Sequence, residues 1–260
     1  MNILKLIRDQ RHDILASFLV AFLLFSSMEA LFLGWKYLYV SAGLLVVQFF
    51  FLAIKFSQSK RDFLWAFIAI LYSIGSCGVL FFVSSNFFQQ IMIFGSSLFI
   101  FFASYSYRQL ALSEKKLSSQ GVLFAMHFLT LFLFFGFFCA VHINYSIPQW
   151  LLAFLFGGAS FFVSLHSFLL TRPTMPKDAF AYSFVMGFLF FQFAWFVHFW
   201  PFGYLTISAV LLVTFFCLWD LLQTHMEGTL RKQRFLMNTI FFLVLVGIVL
   251  ASSPWTIVLE

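Results

Sequence analysis

Few side chains in this 260-residue chain can do chemistry, because 63% of it is hydrophobic and only 9% is charged. The candidates are ionisable or amide groups inside long apolar runs, where a polar group is costly and so becomes a functional hypothesis. Glu29 is the sharpest. It follows Ser26 and Ser27 in the outer third of the first run. A carboxyl there can handle protons or cations; the alternative is a neutral Glu hydrogen-bonded to a neighbouring helix. Asp220 stands near the inner end of a later run beside Gln223 and His225. It either faces a substrate path or simply reaches the interface. Gln48 and Gln192 complete the substrate or ion candidates.

Four histidines form two pairs by depth. His142 and His198 end two runs on the outer side, and His127 and His166 lie at similar depth in the inner half. Bis-His haem ligation in a helical bundle uses such pairs, and two histidines can begin a metal site. No carboxylate stands within helical reach of His142 and His198. Interfacial or helix-bridging histidines are therefore preferred. Haem is the one cofactor the pairs suggest; none is favoured and no metal is assigned. His225, Arg231, Lys232 and Arg234 can contact a phosphate or a lipid head group, or serve only as a topological anchor. No residue is assigned a catalytic role. The chain has no G-x-x-x-x-G-K, H-E-x-x-H or G-x-S-x-G.

The elements that hold these residues are greasy segments. Nine runs are long enough to cross a bilayer: Ile14–Trp35, Tyr37–Ile54, Phe63–Val83, Phe87–Tyr105, Gly121–His142, Trp150–Thr171, Phe180–Trp200, Phe202–Leu222 and Phe235–Ser252. They show no period-2 alternation, so helices rather than a barrel are expected. Of 15 Lys and Arg residues, all but Lys36 occupy every second gap between the runs. That is the positive-inside pattern, and it places the N-terminus in the cytoplasm and the C-terminus outside. The formal charge of +6 is thus read as loop anchoring to an anionic leaflet, not as a nucleic-acid footprint. Cys77, Cys139 and Cys217 each fall in a different run and read as small packing residues. Gly75, Gly78, Gly95 and the Gly157-Gly158 pair read as close-packing sites, with Ala153-x-x-x-Gly157 as a small-residue face.

Two internal matches suggest repetition. Phe132–His142 and Phe188–His198 agree at seven of eleven positions, and Tyr37–Val46 and Tyr204–Val213 at seven of ten. Their offsets fit a unit of about 56 residues, one helical hairpin in a parallel repeat. The expected architecture is all-α: a polytopic transmembrane bundle of about nine spans in a single integral membrane domain over 1–260. It comprises an interfacial segment at 1–12, hairpins near 14–56, 63–107, 121–171 and 180–225, and an extra span at 235–252.

The functional expectation is a transporter-like, non-enzymatic module that accommodates a small or lipidic molecule. The alternatives are an assembly subunit of a membrane complex and a haem-binding redox protein. The expected partners are the lipid bilayer and other membrane proteins or further copies meeting small-residue helix faces, with no nucleic acid. The expected membrane is a bacterial inner (cytoplasmic) one. Reporter tags fused at Met1 and Glu260 should report opposite compartments, the first one cytoplasmic; tags sharing a compartment would refute the odd-span topology.

Overall fold

The computed structural model describes residues 3–56, 60–112, 117–171, 176–197 and 199–252. The described chain is helical, in nine long elements: α1 (Ile3–Phe32), α2 (Leu38–Phe56), α3 (Lys60–Leu80), α4 (Asn86–Leu112), α5 (Leu117–Tyr145), α6 (Gln149–Thr171), α7 (Pro176–Val197), α8 (Tyr204–Met226) and α9 (Lys232–Ser252). Among the described residues, eight helices are long and apolar enough to cross a membrane. The ninth, α2, has the shorter apolar stretch Leu38–Ile54. At 1.5 Å per residue that stretch covers about 26 Å against a hydrocarbon core of about 30 Å, so crossing needs local thinning or snorkelling at its ends. α1 errs the other way. Its 30 residues extend about 45 Å, so the N-terminal segment expected at the interface continues the first span as one helix.

Local chemistry sets the turns. Gly34, at φ 125°, begins the reversal after α1; a side chain there would be strained. α8 ends in a Schellman motif: Gly228 sits at φ 66°, its N–H donates to the His225 carbonyl, and the Thr229 N–H donates to the Thr224 carbonyl. Pro148 opens α6 by offering its carbonyl to the N–H groups of Leu151 and Leu152. Pro176 takes the first position of α7, where its missing N–H costs no helical bond.

The chain forms two compact units, Met1–Thr130 and Leu131–Glu260, with the boundary inside α5. In the first unit α1 packs against α2, α3 and α4, and α3 also meets α2 and α4. Its core mixes large apolar groups such as Trp65, Tyr72 and Met28 with fully buried polar ones, including Ser17, Ser27, Ser73, Ser104 and Gln48. In the second unit α6 and α7 make the most extensive contact, and α8 meets α6, α7 and α9. Here the core is aromatic. Phe135 stacks on Phe190 with ring centroids 5.6 Å apart, and Phe190 meets Phe215 edge-on at 5.6 Å. No described residue of α9 is buried.

Gly157 and Gly187 allow the α6–α7 approach. A Cβ at Gly157 would lie 2.9 Å from the Gly187 carbonyl oxygen, and one at Gly187 would lie 2.9 Å from Phe161 Cβ. Neither neighbour can move freely, since one is backbone and the other a Cβ. Gly158 and Gly95, by contrast, face open space, so of the candidate close-packing glycines Gly157 has this role and Gly95 and Gly158 do not. Gly157→Val and Gly187→Val should each cost roughly 1–3 kcal/mol through overpacking and lower the unfolding midpoint in detergent micelles. Gly158→Ala should leave the midpoint unchanged or raise it, because the helix gains propensity without a clash.

Candidate functional site

In the first unit, the end that carries the basic loops holds a polar cluster drawn from three helices. Arg108 of α4 approaches Asp13 of α1, with Nε 3.6 Å from Oδ1, and both side chains are largely covered, at 18% and 14% exposure. One residue earlier, the Tyr107 hydroxyl donates to Asp62 Oδ1 of α3 at 2.6 Å. The Tyr107 ring stacks on Trp65 of α3, with centroids 4.9 Å apart and planes 7° from parallel. Asp62 also occupies the first turn of α3, where the helix dipole favours an acid. Successive residues of α4 thus tie it to α1 and to α3. In the sequence Tyr107 and Arg108 mark a span end and a basic gap, and neither acid stands out. The available signal was an acid retained at a span end beside a basic gap. Which cation it meets is a tertiary matter that spacing does not encode.

Deeper in the same unit the polar groups join helices. The Ser27 hydroxyl of α1 lies 2.7 Å from that of Ser41 on α2 and 3.7 Å from the Cys77 sulfur on α3. The Tyr72 hydroxyl donates to the Ser96 carbonyl, α3 to α4, at 3.2 Å. Gln48 is fully buried and its amide donates to the Val20 carbonyl of α1 at 3.5 Å, while its Oε1 meets no donor among the described residues. Glu29 is half-buried and its carboxyl has no hydrogen-bond partner among the described residues. His127 is buried on α5, its ring 6.1 Å from that of Phe124.

The second unit has a pocket at the α5–α6 end. It encloses about 370 Å³ and is lined by Cys139, His142, Ser146, Gln149, Val197 and Trp200, among others. His142 Nδ1 lies 3.0 Å from the Ile147 carbonyl oxygen. A carbonyl only accepts, so Nδ1 carries a proton and donates to it. The Gln149 amide donates to the Trp195 carbonyl at 3.1 Å, which leaves an acceptor oxygen on the same group. Ser146 holds the turn at φ 49°. Polar side chains thus share the pocket wall with Ile, Val and Trp. His198 lies outside the described residues. Gln192 is exposed on α7, and His166 is buried on α6.

At the opposite end of α8, Asp220 is bound on both carboxylate oxygens from α9. Arg234 donates to Oδ1 at 3.3 Å and Asn238 to Oδ2 at 2.6 Å. The Thr224 hydroxyl donates to the Asp220 backbone carbonyl. His225 is exposed and meets the Tyr182 ring edge-on at 5.9 Å; Arg231 and Lys232 are exposed. Of the four substrate or ion candidates, then, Gln48 and Asp220 have partners in helix packing, and Glu29 and Gln48 belong to a different unit from Gln192 and Asp220. Of the histidines, His127 belongs to the first unit and His142 and His166 to the second. No group of three or more His, Cys, Asp or Glu suited to a metal exists among the described residues.

Long apolar helices joined by short turns define a polytopic helical membrane protein. Residues 66–252 match the family model described as "Protein of unknown function (DUF5656)", and the chain belongs to that family. No curated protein and no solved structure matches the chain. The matched region runs from within α3 to the end of α9. It includes the pocket and the α8–α9 clamp, whereas Asp13, Glu29, Gln48 and Asp62 precede it.

The Asp13–Arg108 pair is partly screened, and removing one partner leaves the other charge in a poorly hydrated site. Arg108→Gln and Asp13→Asn should each destabilise the protein by about 1–3 kcal/mol. The double variant should lose less than the sum, as read by a double-mutant cycle of thermal unfolding in detergent.

Proposed function

We propose that the protein is a non-enzymatic, transporter-like membrane module that accommodates a small or amphiphilic molecule in the His142 pocket of its second unit. The observation that carries this reading is a concavity of about 370 Å³ at a helix-bundle end, with polar groups converging on an otherwise apolar wall. Gln149 keeps an amide oxygen as an acceptor, and His142 and Ser146 add polar groups to the wall. The chemistry selects a ligand with hydroxyl or amine donors and an apolar body that packs on Val197 and Trp200. The positive-inside pattern supports an outward-opening pocket with the N-terminus in the cytoplasm of a bacterial cell. The two internal sequence matches support descent from a repeated helical hairpin, with the unpaired α9 as an addition.

Retention of a ligand tests this reading. Protein purified from its native membrane in mild detergent should release a small molecule into an organic extract, detected by mass spectrometry. Ile143→Trp, at an exposed position on the pocket wall, should reduce the retained amount about tenfold, equivalent to roughly 1.4 kcal/mol of binding. His142→Leu, which removes both ring nitrogens from the wall, should act in the same direction. Extracts that do not differ between wild type and folded Ile143→Trp would refute the pocket as the binding site.

A further inference from the structure

We infer that the crevice between α7, α8 and α9 holds an acyl chain of one anionic phospholipid whose phosphate is bound by Arg231 and Lys232. The crevice lies at the other end of α8 from the His142 pocket, so it stands independently of the functional reading above.

The crevice has a volume of about 320 Å³, and its walls include Phe193, Leu221, Phe235 and Phe242. A water occupies about 30 Å³ and needs two to four polar partners to be held. The lining does not supply them. Thr214 Oγ1 donates to the Val210 carbonyl at 2.8 Å, Thr239 Oγ1 to the Phe235 carbonyl at 3.0 Å, and the Asn238 amide to Asp220. Both threonine hydroxyls are thus spent on their own helix and one Asn238 N–H on Asp220, and apart from the Cys217 thiol the rest of the wall is predominantly hydrocarbon. The wall from Phe235 to Phe242 covers two helical turns, about 10 Å of depth. It begins one turn below the start of α9, at the level of acyl carbons beneath a head group.

The mouth of the crevice selects the charge. Asp220 is neutralised by Arg234, and Glu227 Oε1 accepts from the Gln223 amide. Arg231 and Lys232 are exposed and meet no acid among the described residues. They stand at the N-terminal turn of α9, whose dipole adds to the attraction for an anion. An anionic phosphodiester there satisfies both cations while its chain fills the space beside α9.

Native mass spectrometry of the full chain in detergent, with added phosphatidylglycerol or phosphatidylcholine, tests the inference. Wild type should retain one phosphatidylglycerol in preference to phosphatidylcholine. The double variant Arg231→Gln/Lys232→Gln, altered only at exposed positions, should lose that preference about tenfold. Thr239→Trp, which fills the crevice, should lose both lipids, whereas Lys177→Gln on the start of α7 should lose neither. Equal retention of the two lipids by wild type, or equal losses from Lys177→Gln and the double variant, would overturn the site in favour of diffuse surface charge. Displacement of the lipid by inorganic phosphate alone would overturn it in favour of a free-anion site.

Discussion

Inside a bilayer no water is available to take up an unpaired backbone N–H or carbonyl, so each crossing segment must satisfy its own main chain. This constraint makes the described residues helical and moves every irregularity to the ends. The positive-φ residues Gly34, Ser146 and Gly228 all lie in turns between helices. It also removes the hydrophobic effect as a reason for helices to associate, because lipid tails are as apolar as Leu and Phe. Something else has to hold the bundle together, and the two units do it differently.

The first unit uses polar side chains as contacts. Ser27, Ser41 and Cys77 meet where three helices approach, Gln48 reaches a carbonyl of the preceding helix, and Tyr72 reaches one from α3 to α4. At the basic end, Asp13 with Arg108 and Asp62 with Tyr107 add charge-assisted contacts at a depth where charged groups keep some water. The second unit uses shape. Gly157 and Gly187 bring two backbones together, and Phe135, Phe156, Phe190 and Phe215 interlock around them. Dispersion between close surfaces replaces hydrogen bonds as the source of specificity.

Much of this was legible in the residues alone. Helical spans follow from run length and the absence of alternation, whereas the turn at Gly34 lies inside the apolar run Ile14–Trp35 and is not marked by it. Gly157 was recognisable from its small-residue spacing. Gly187 was not, since its partner surface, Phe161 and Gly157, comes from another helix. The same reason hid the site chemistry. Asp220 reads in sequence as a lone acid in an apolar run, and only the placement of α9 brings Arg234 and Asn238 to it. Asp13 and Asp62 read as ordinary span-end acids until α4 delivers Arg108 and Tyr107. Sequence spacing reports neighbours three and four residues apart on one helix; these contacts join residues 14 to 95 apart.

The way α9 is attached bears on how the molecule is assembled. A helix with no buried described residue contributes little to the core of its unit, so the remainder of that unit can settle first during synthesis. Asp220 must then wait without its cation. Its position six residues from the end of α8, about 9 Å from that terminus, keeps the carboxylate near hydrated lipid head groups during the interval. An acid at mid-span would have no such shelter. Depth therefore serves timing as well as contact: the residue that fastens α9 sits where it remains tolerable until that helix leaves the ribosome.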